Sequence, residues 1–152
     1  KFPLYLVGIW AHAVRVVHVV VAEVAIRIHT EHVSITAVKP LGDKTAFILQ
    51  INQHIIKQSN ENNALILISI HANALPDGEN PNLNRGTSVY YYHAQAKPLA
   101  EKILKEVIEK TGTKNDSVRQ RSLALVRPTQ SISVLVEVAY MINPLDNTLL
   151  RD

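Results

Sequence analysis

The sequence predicts a single α/β domain over residues 1–152, with a mainly parallel twisted sheet and helices on both faces. The uninterrupted apolar run Ala64–Ile70 is typical of a strand covered on both sides, as parallel strands are. The positions Leu99, Ile103 and Val107 repeat every four residues among charged neighbours, which predicts an amphipathic helix. Strands that alternate with helices in this way indicate an α/β domain.

The other elements are assigned by the same criteria. Residues 12–29 are predicted to be helical because Val17, Val20, Val24 and Ile28 form a stripe, although so many valines also suit a strand. Turn-forming residues between Ala74 and Gly86 predict a loop. The remaining predictions are strands at Phe2–Ile9, Val33–Thr36, Thr87–Tyr92 and Ser133–Val138, and a helix at Lys44–Lys57.

Composition restricts the class of protein. With 47% hydrophobic and 19% charged residues, the chain is globular rather than disordered. It has no cysteine, so any metal must be held by His, Asp or Glu. The most apolar run, Val14–Ile28, contains four charged or histidine residues, which argues against a membrane span, and no signal peptide is expected. The net charge of +3 alone would suit a nucleic-acid binder, but no nucleic-acid motif supports that alternative.

Two ionisable side chains stand where α/β domains bind ligands, beyond the carboxyl ends of strands. His71 follows the run Ala64–Ile70, and Glu137 lies inside the apolar run Ser133–Val138. A lone histidine at a strand end is more often structural. A buried carboxylate without a partner costs several kcal/mol, so Glu137 requires a cation, a metal or a proton.

Three segments resemble the zinc-dependent N-acetylmuramoyl-L-alanine amidase family. They are Ser-Ile-His-Ala-Asn-Ala at 69–74, Gly-Thr-Ser-Val-Tyr-Tyr-Tyr at 86–92, and Val-Leu-Val-Glu-Val-Ala-Tyr at 134–140 with Asn143. The resemblance covers roughly residues 33–150. It implies a zinc ion held by two histidines and one glutamate, with His71 as the second histidine ligand and Glu137 as the catalytic glutamate. Asn73 and Arg127 are the candidate substrate-binding residues.

The family's first histidine ligand and its glutamate ligand have only approximate matches in this sequence. His12, flanked by alanines where the family has glycines, and Glu23 are the candidates for the two remaining zinc ligands. A continuous helix would place them roughly 16 Å apart, so both can bind one ion only if the helix begins after His12. Two interpretations remain: a zinc site of unusual geometry, or a homologue that has lost zinc and activity but still binds peptidoglycan.

The resemblance therefore implies a cell-wall hydrolase that needs Zn²⁺ and acts on peptidoglycan in the bacterial periplasm, the cell wall or the extracellular space. A monomer without a nucleic-acid partner is expected. Some amidases of this type carry a long insertion after the Gly-to-Tyr strand, and that insertion blocks the active site. Here Tyr92 is followed almost directly by the helix that contains Leu99, which leaves no space for such an insertion. We expect no self-inhibition of that kind.

Overall fold

The computed structural model describes the backbone of residues 19–26, 34–35, 44–75, 78–83 and 85–151, and side chains from residue 49 onward. The predicted strand Phe2–Ile9 and the candidate ligand His12 lie outside these residues. No described helix is both long enough and apolar enough to cross a membrane.

Strands and helices alternate through most of the described chain. In order they are β1 (Val19–Ile26), β2 (Ser34–Ile35), α1 (Lys44–Glu61), β3 (Ile66–Asn73), β4 (Thr87–Tyr91), α2 (Lys97–Thr111), β5 (Asn115–Gln120), β6 (Ile132–Tyr140) and α3 (Pro144–Leu149). Short 3₁₀ turns occupy Ala94–Ala96 and Ala124–Val126.

The described strands form one six-stranded sheet in the order β2-β1-β3-β6-β4-β5. The α/β class is confirmed. The pairs β3–β6 and β4–β5 are parallel, whereas β1–β2, β1–β3 and β4–β6 are antiparallel, so the sheet is mixed. A parallel pair needs a long crossover, and the segment that contains α2 is part of the crossover from β3 to β6. The central pair is therefore parallel, as the apolar runs predict.

The helix predicted at residues 12–29 is wrong over residues 19–26. Val19–Ile26 is strand β1, and it runs antiparallel to β3 with Val24 opposite Ile68. β-Branched side chains favour the pleated surface of a sheet and lose rotamer freedom in a helix. Pairing with the apolar strand β3 therefore overrides the helical spacing of the valines.

Helices pack on both faces of the sheet, as predicted. On one face, Val89, Val134 and Val136 pack with buried residues of α2, including Ala100 and Leu104. The opposite face carries a second apolar cluster in which Ile55 of α1 joins Leu67, Leu125, Val126 and Leu135. Because Leu135 and Glu137 are two residues apart on β6, the side chain of Glu137 lies on this α1 face.

Candidate active site at the carboxyl ends of strands β3 and β6

His71 and Glu137 are paired in register across the parallel strands β3 and β6. Neighbouring strands lie about 4.8 Å apart, and partners in one register position project to the same face. Only 5% of His71 and 6% of Glu137 are exposed. An imidazole and a carboxylate from distant parts of the sequence therefore lie side by side, buried, at the carboxyl end of the central strand pair.

Glu137 is held in surroundings that favour its neutral form. Burial raises its pKa from 4.5 to about 7. Its oxygen Oε2 is buried and receives no hydrogen bond from the described residues. A carboxyl group with a pKa near neutrality can both accept and return a proton at working pH, which is the requirement for general acid–base catalysis.

Two serine hydroxyls extend this polar group. Ser88 of β4 lies opposite Glu137, and Ser69 of β3 precedes His71 by two residues. Both serines are fully buried, and neither hydroxyl has a hydrogen-bond partner among the described residues. Buried polar groups of this kind normally bond to protein, water or ligand. The arrangement is therefore a small buried polar cluster beside the apolar cluster that contains Leu67 and Leu135.

The position of Ser88 is fixed by the residues just before it. Thr87 donates its backbone N–H to the Lys114 carbonyl at 2.8 Å and its hydroxyl to the Val138 carbonyl at 2.7 Å. Gly86 has a φ of +111°, and a Cβ there would lie 2.2 Å from the Lys114 carbonyl oxygen. Only glycine fits this close approach, so it sets where β4 begins and which residue faces Glu137.

Asp146, on the short helix α3, joins the chain segments at the carboxyl edge. Its Oδ2 accepts the backbone N–H of Gly86 at 2.7 Å and that of Tyr140 at 3.0 Å. Its Oδ1 lies 3.4 Å from Nε of Arg85. The carboxylate thus holds the end of the β3–β4 loop against the end of β6.

Asn143 strengthens the same corner. Its side-chain oxygen caps α3 by accepting the N–H groups of Leu145 and Asp146, and its amide group donates to the Pro81 carbonyl at 2.8 Å. N-caps of this type satisfy donors that the first helical turn leaves free. The loop between β3 and β4 is therefore attached to α3 at two points, through Pro81 and Gly86.

The two predicted substrate-binding residues lie at different places. Asn73 ends β3, two residues beyond His71, and its carbonyl accepts the N–H of Met141 at 2.9 Å, which places it at the candidate site. Arg127 is exposed, and its carbonyl accepts a hydrogen bond from His93 at 2.9 Å. His93 follows the end of β4, beside the beginning of β6. Arg127 therefore lies towards the beginning of β6, at the opposite end of that strand from Glu137.

The donor types at the site fit zinc only in part. Imidazole nitrogen and carboxylate oxygen are zinc ligands, and His71 fits one such place. Among the described side chains, no three His, Asp or Glu residues come close enough to share an ion. Glu23 lies on β1, the strand next to β3, and is paired with Ser69 of β3. The side chain of Glu23 is not described. If the site holds zinc, the further ligands would have to come from outside the described side chains.

The sequence and the fold match a family of hydrolytic domains. Residues 13–152 match the family described as N-acetylmuramoyl-L-alanine amidase, and the chain belongs to that family. A probable cell wall amidase of Staphylococcus aureus, LytH, is 35% identical over 85 residues, which are 56% of this chain and 28% of LytH.

Solved structures show the same fold. The catalytic domain of the amidase CwlV from Bacillus (Paenibacillus) polymyxa var. colistinus superimposes with a TM-score of 0.60 and 28% identity, over 66% of this chain and 54% of that one. The amidase AmiC2 of Nostoc punctiforme gives a TM-score of 0.60 and 31% identity, over the same shares of the two chains. The chain thus matches about half the length of these structures and about a quarter of LytH.

Proposed function

We propose that this protein hydrolyses the amide bond between N-acetylmuramic acid and L-alanine in peptidoglycan, with zinc as its cofactor. The main support is the shared register position of His71 and Glu137, two buried ionisable side chains at the carboxyl ends of adjacent parallel strands. Membership of the amidase family supports the choice of substrate. The site of action would be the cell wall or the periplasm, where peptidoglycan is located.

His71 is proposed as a zinc ligand, with His12 and Glu23 as the candidates for the other two. Zinc, when bound, supplies Lewis acidity that polarises the scissile carbonyl and acidifies water. Glu23 lies opposite Ser69 on strand β1, which pairs directly with the strand of His71, and this proximity supports Glu23 as a candidate ligand.

Glu137 is proposed as the general base and acid. As a carboxylate it accepts a proton from the attacking water while the water oxygen bonds to the amide carbon. It then gives that proton to the departing alanine nitrogen as the carbon–nitrogen bond breaks. A pKa near neutrality suits both transfers, because neither protonation state is strongly disfavoured at working pH.

Asn73 and Arg127 are the proposed substrate-binding residues. Asn73 is the better placed, since it lies at the carboxyl end of β3 and is only partly buried. Arg127 is exposed towards the opposite edge, so it would have to bind a more distant part of the glycan or peptide.

The proposal is tested by measuring zinc content and muropeptide release together. The wild-type chain is expected to hold one zinc ion and to release peptides from purified cell walls. His71→Ala should lose both properties. Glu137→Gln should keep zinc and lose activity by about 10²- to 10⁴-fold. Glu101→Gln, which changes an exposed glutamate of α2, is the matched control and should behave as the wild type. Tight zinc binding by a wild-type protein that never cleaves cell walls would refute the proposal.

A second candidate is a binding homologue without catalysis. It is favoured by Ala11 and Ala13, which flank His12 where the family has glycines. It predicts that the protein sediments with peptidoglycan, contains no zinc and releases no peptide. Elemental analysis of the protein purified without chelator separates the two candidates.

A further inference from the structure

We propose that Arg85 binds a carboxylate group on the peptide part of the substrate, and that buried Asp146 holds its guanidinium in the required orientation. This inference rests on the proposed amidase function and deepens it, because it names a feature of the peptide that the site recognises. Arg85 lies at the same end of the strands as Glu137, whereas Arg127 lies towards the opposite end.

The orientation of Arg85 is set by a carboxylate that has no freedom of its own. The Asp146 side chain is completely buried, and its Oδ2 is engaged by the N–H groups of Gly86 and Tyr140. Its Oδ1 faces Nε of Arg85 at 3.4 Å, while 28% of the arginine side chain is exposed. Nε of Arg85 is buried in an ion pair with Asp146 rather than in a hydrogen bond, whereas the outer nitrogens are accessible.

The outer nitrogens of Arg85 remain available. A guanidinium has five N–H donors, and none of the hydrogen bonds among the described residues uses the two terminal nitrogens of Arg85. Arg119 is different, since its terminal nitrogens donate to Asp116 and to the Tyr90 hydroxyl. Of these two partly buried arginines, only Arg85 keeps both terminal nitrogens for an external anion, which a carboxylate can bind through two parallel bonds.

Arg85 is also at the correct edge of the sheet. The N–H groups that share Asp146 with it belong to Gly86, just before β4, and to Tyr140, three residues beyond Glu137. Because of a register shift, Glu137 to Tyr140 matches only His71 to Asn73 on β3, which is about 7 Å, and an extended peptide advances roughly 3.3–3.6 Å per residue. A carboxylate two or three residues from the scissile amide can therefore reach Arg85 while the amide lies beside Glu137.

Equilibrium binding tests this inference without depending on turnover. The full chain carrying Glu137→Gln is titrated calorimetrically with a muramoyl tripeptide that bears free carboxylates and with the same compound after amidation of those carboxylates. The carboxylate form is expected to bind at least about 10-fold more tightly, as for a charge-assisted pair. Adding Arg85→Gln should abolish this preference and leave the affinity for the amidated form unchanged.

Two further variants serve as comparisons. Arg121→Gln removes one positive charge from an exposed side chain, and it should preserve the preference. Asp146→Asn keeps an oxygen for the N–H groups of Gly86 and Tyr140 but loses the negative charge that orients Arg85, so it should reduce the preference. This variant keeps the test informative if Arg85→Gln folds poorly.

Equal weakening of both probes by Arg85→Gln would overturn the inference, because it would show that Arg85 only supports the loop. Failure of the Glu137→Gln protein to bind either probe, or equal binding of the two, would overturn it as well. Cleavage of cell walls by the wild type is measured in parallel. If the wild type cleaves cell walls, only the role of Arg85 is refuted. If it does not, the proposed function is refuted as well.

Discussion

Ser88 and Glu137 face each other across the antiparallel strands β4 and β6, and each carries a buried oxygen that no described residue hydrogen-bonds. His71 adjoins Glu137 on the other side, across the parallel pair. One transverse row of the sheet therefore contains three polar residues beside the apolar cluster of the α1 face. The Ser88 and Glu137 oxygens are costly to bury unless water, a metal or a substrate contacts them, and this cost argues that these two residues serve function rather than stability.

The Ser88 hydroxyl should contribute little to folding. Ser88→Ala removes a buried group that has no described partner, so the free energy of unfolding should stay constant or rise by about 1 kcal/mol. Thr87→Val is the neighbouring comparison, because it loses the hydroxyl bond to the Val138 carbonyl and should cost about 1–3 kcal/mol. Urea denaturation measures both variants. A loss of stability in Ser88→Ala equal to that in Thr87→Val would show that the serine hydroxyl has a structural partner.

The metal-free protein should lose stability as pH rises. The folded-state pKa of Glu137 is raised to about 7 from 4.5, so its contribution is fully present below pH 4.5 and is lost as pH rises through 7. The difference corresponds to about 3 kcal/mol. Urea denaturation in chelator at pH 5 and pH 8 should show that Glu137→Gln loses less stability than the wild type over this interval. The same pH dependence in both proteins would mean that the carboxyl is solvated or paired.

Gly86 should tolerate no side chain. A Cβ at this position would lie 2.2 Å from the Lys114 carbonyl oxygen, and the φ of +111° is itself unfavourable for alanine. Gly86→Ala should therefore destabilise the protein by several kcal/mol. Gly112→Ala is the control, because Gly112 also has a positive φ of +71° but open space around it, and it should cost only about 1 kcal/mol. Equal losses in the two variants would show that backbone conformation alone matters at residue 86.

Two substitutions of Asp146 should separate the contribution of its charge to stability from that of its hydrogen bonds. Asp146→Ala leaves the N–H groups of Gly86 and Tyr140 without their acceptor, and it should cost about 3 kcal/mol or more. In Asp146→Asn the amide oxygen can take the place of Oδ2, so the loss should be clearly smaller. Thermal unfolding measures both variants. If the asparagine variant were as unstable as the alanine variant, the ion pair with Arg85 would be the dominant interaction.

The strongly apolar elements were predictable from sequence. Strands β3 and β6 follow from continuous apolar runs, and α2 follows from a four-residue repeat that Gly112 ends in a left-handed conformation. β1 was not predicted, because its valines satisfy both periods and only pairing with β3 decides between them. β5 is a polar edge strand with no apolar alternation to mark it.

The helix α3 had a usable signal that was missed. Asn143 followed by Pro144 is a typical helix start, with an N-cap side chain and a proline in the first turn. The helix was overlooked because it is short. Its importance lies in Asp146, whose contacts involve residues about 60 positions earlier in the chain, and local sequence patterns contain no such information.

The residues of the candidate site also fall into two groups, those that could be identified from the sequence and those that could not. His71 and Glu137 could be selected because parallel strands bring their carboxyl ends to one edge, and each follows or interrupts an apolar run. Ser88 and Arg85 could not be selected. Their relation to Glu137 depends on the register of an antiparallel neighbour and on a buried carboxylate in another helix, neither of which the sequence alone specifies.

We propose above all that His71 and Glu137 converge on one zinc ion. Diffraction from crystals of the zinc-loaded full chain, recorded at the zinc absorption edge, tests it directly. We expect one anomalous peak about 2 Å from a ring nitrogen of His71, with the carboxylate of Glu137 facing it. An anomalous peak away from His71, or Glu137 directed to the other face of the sheet, would contradict it.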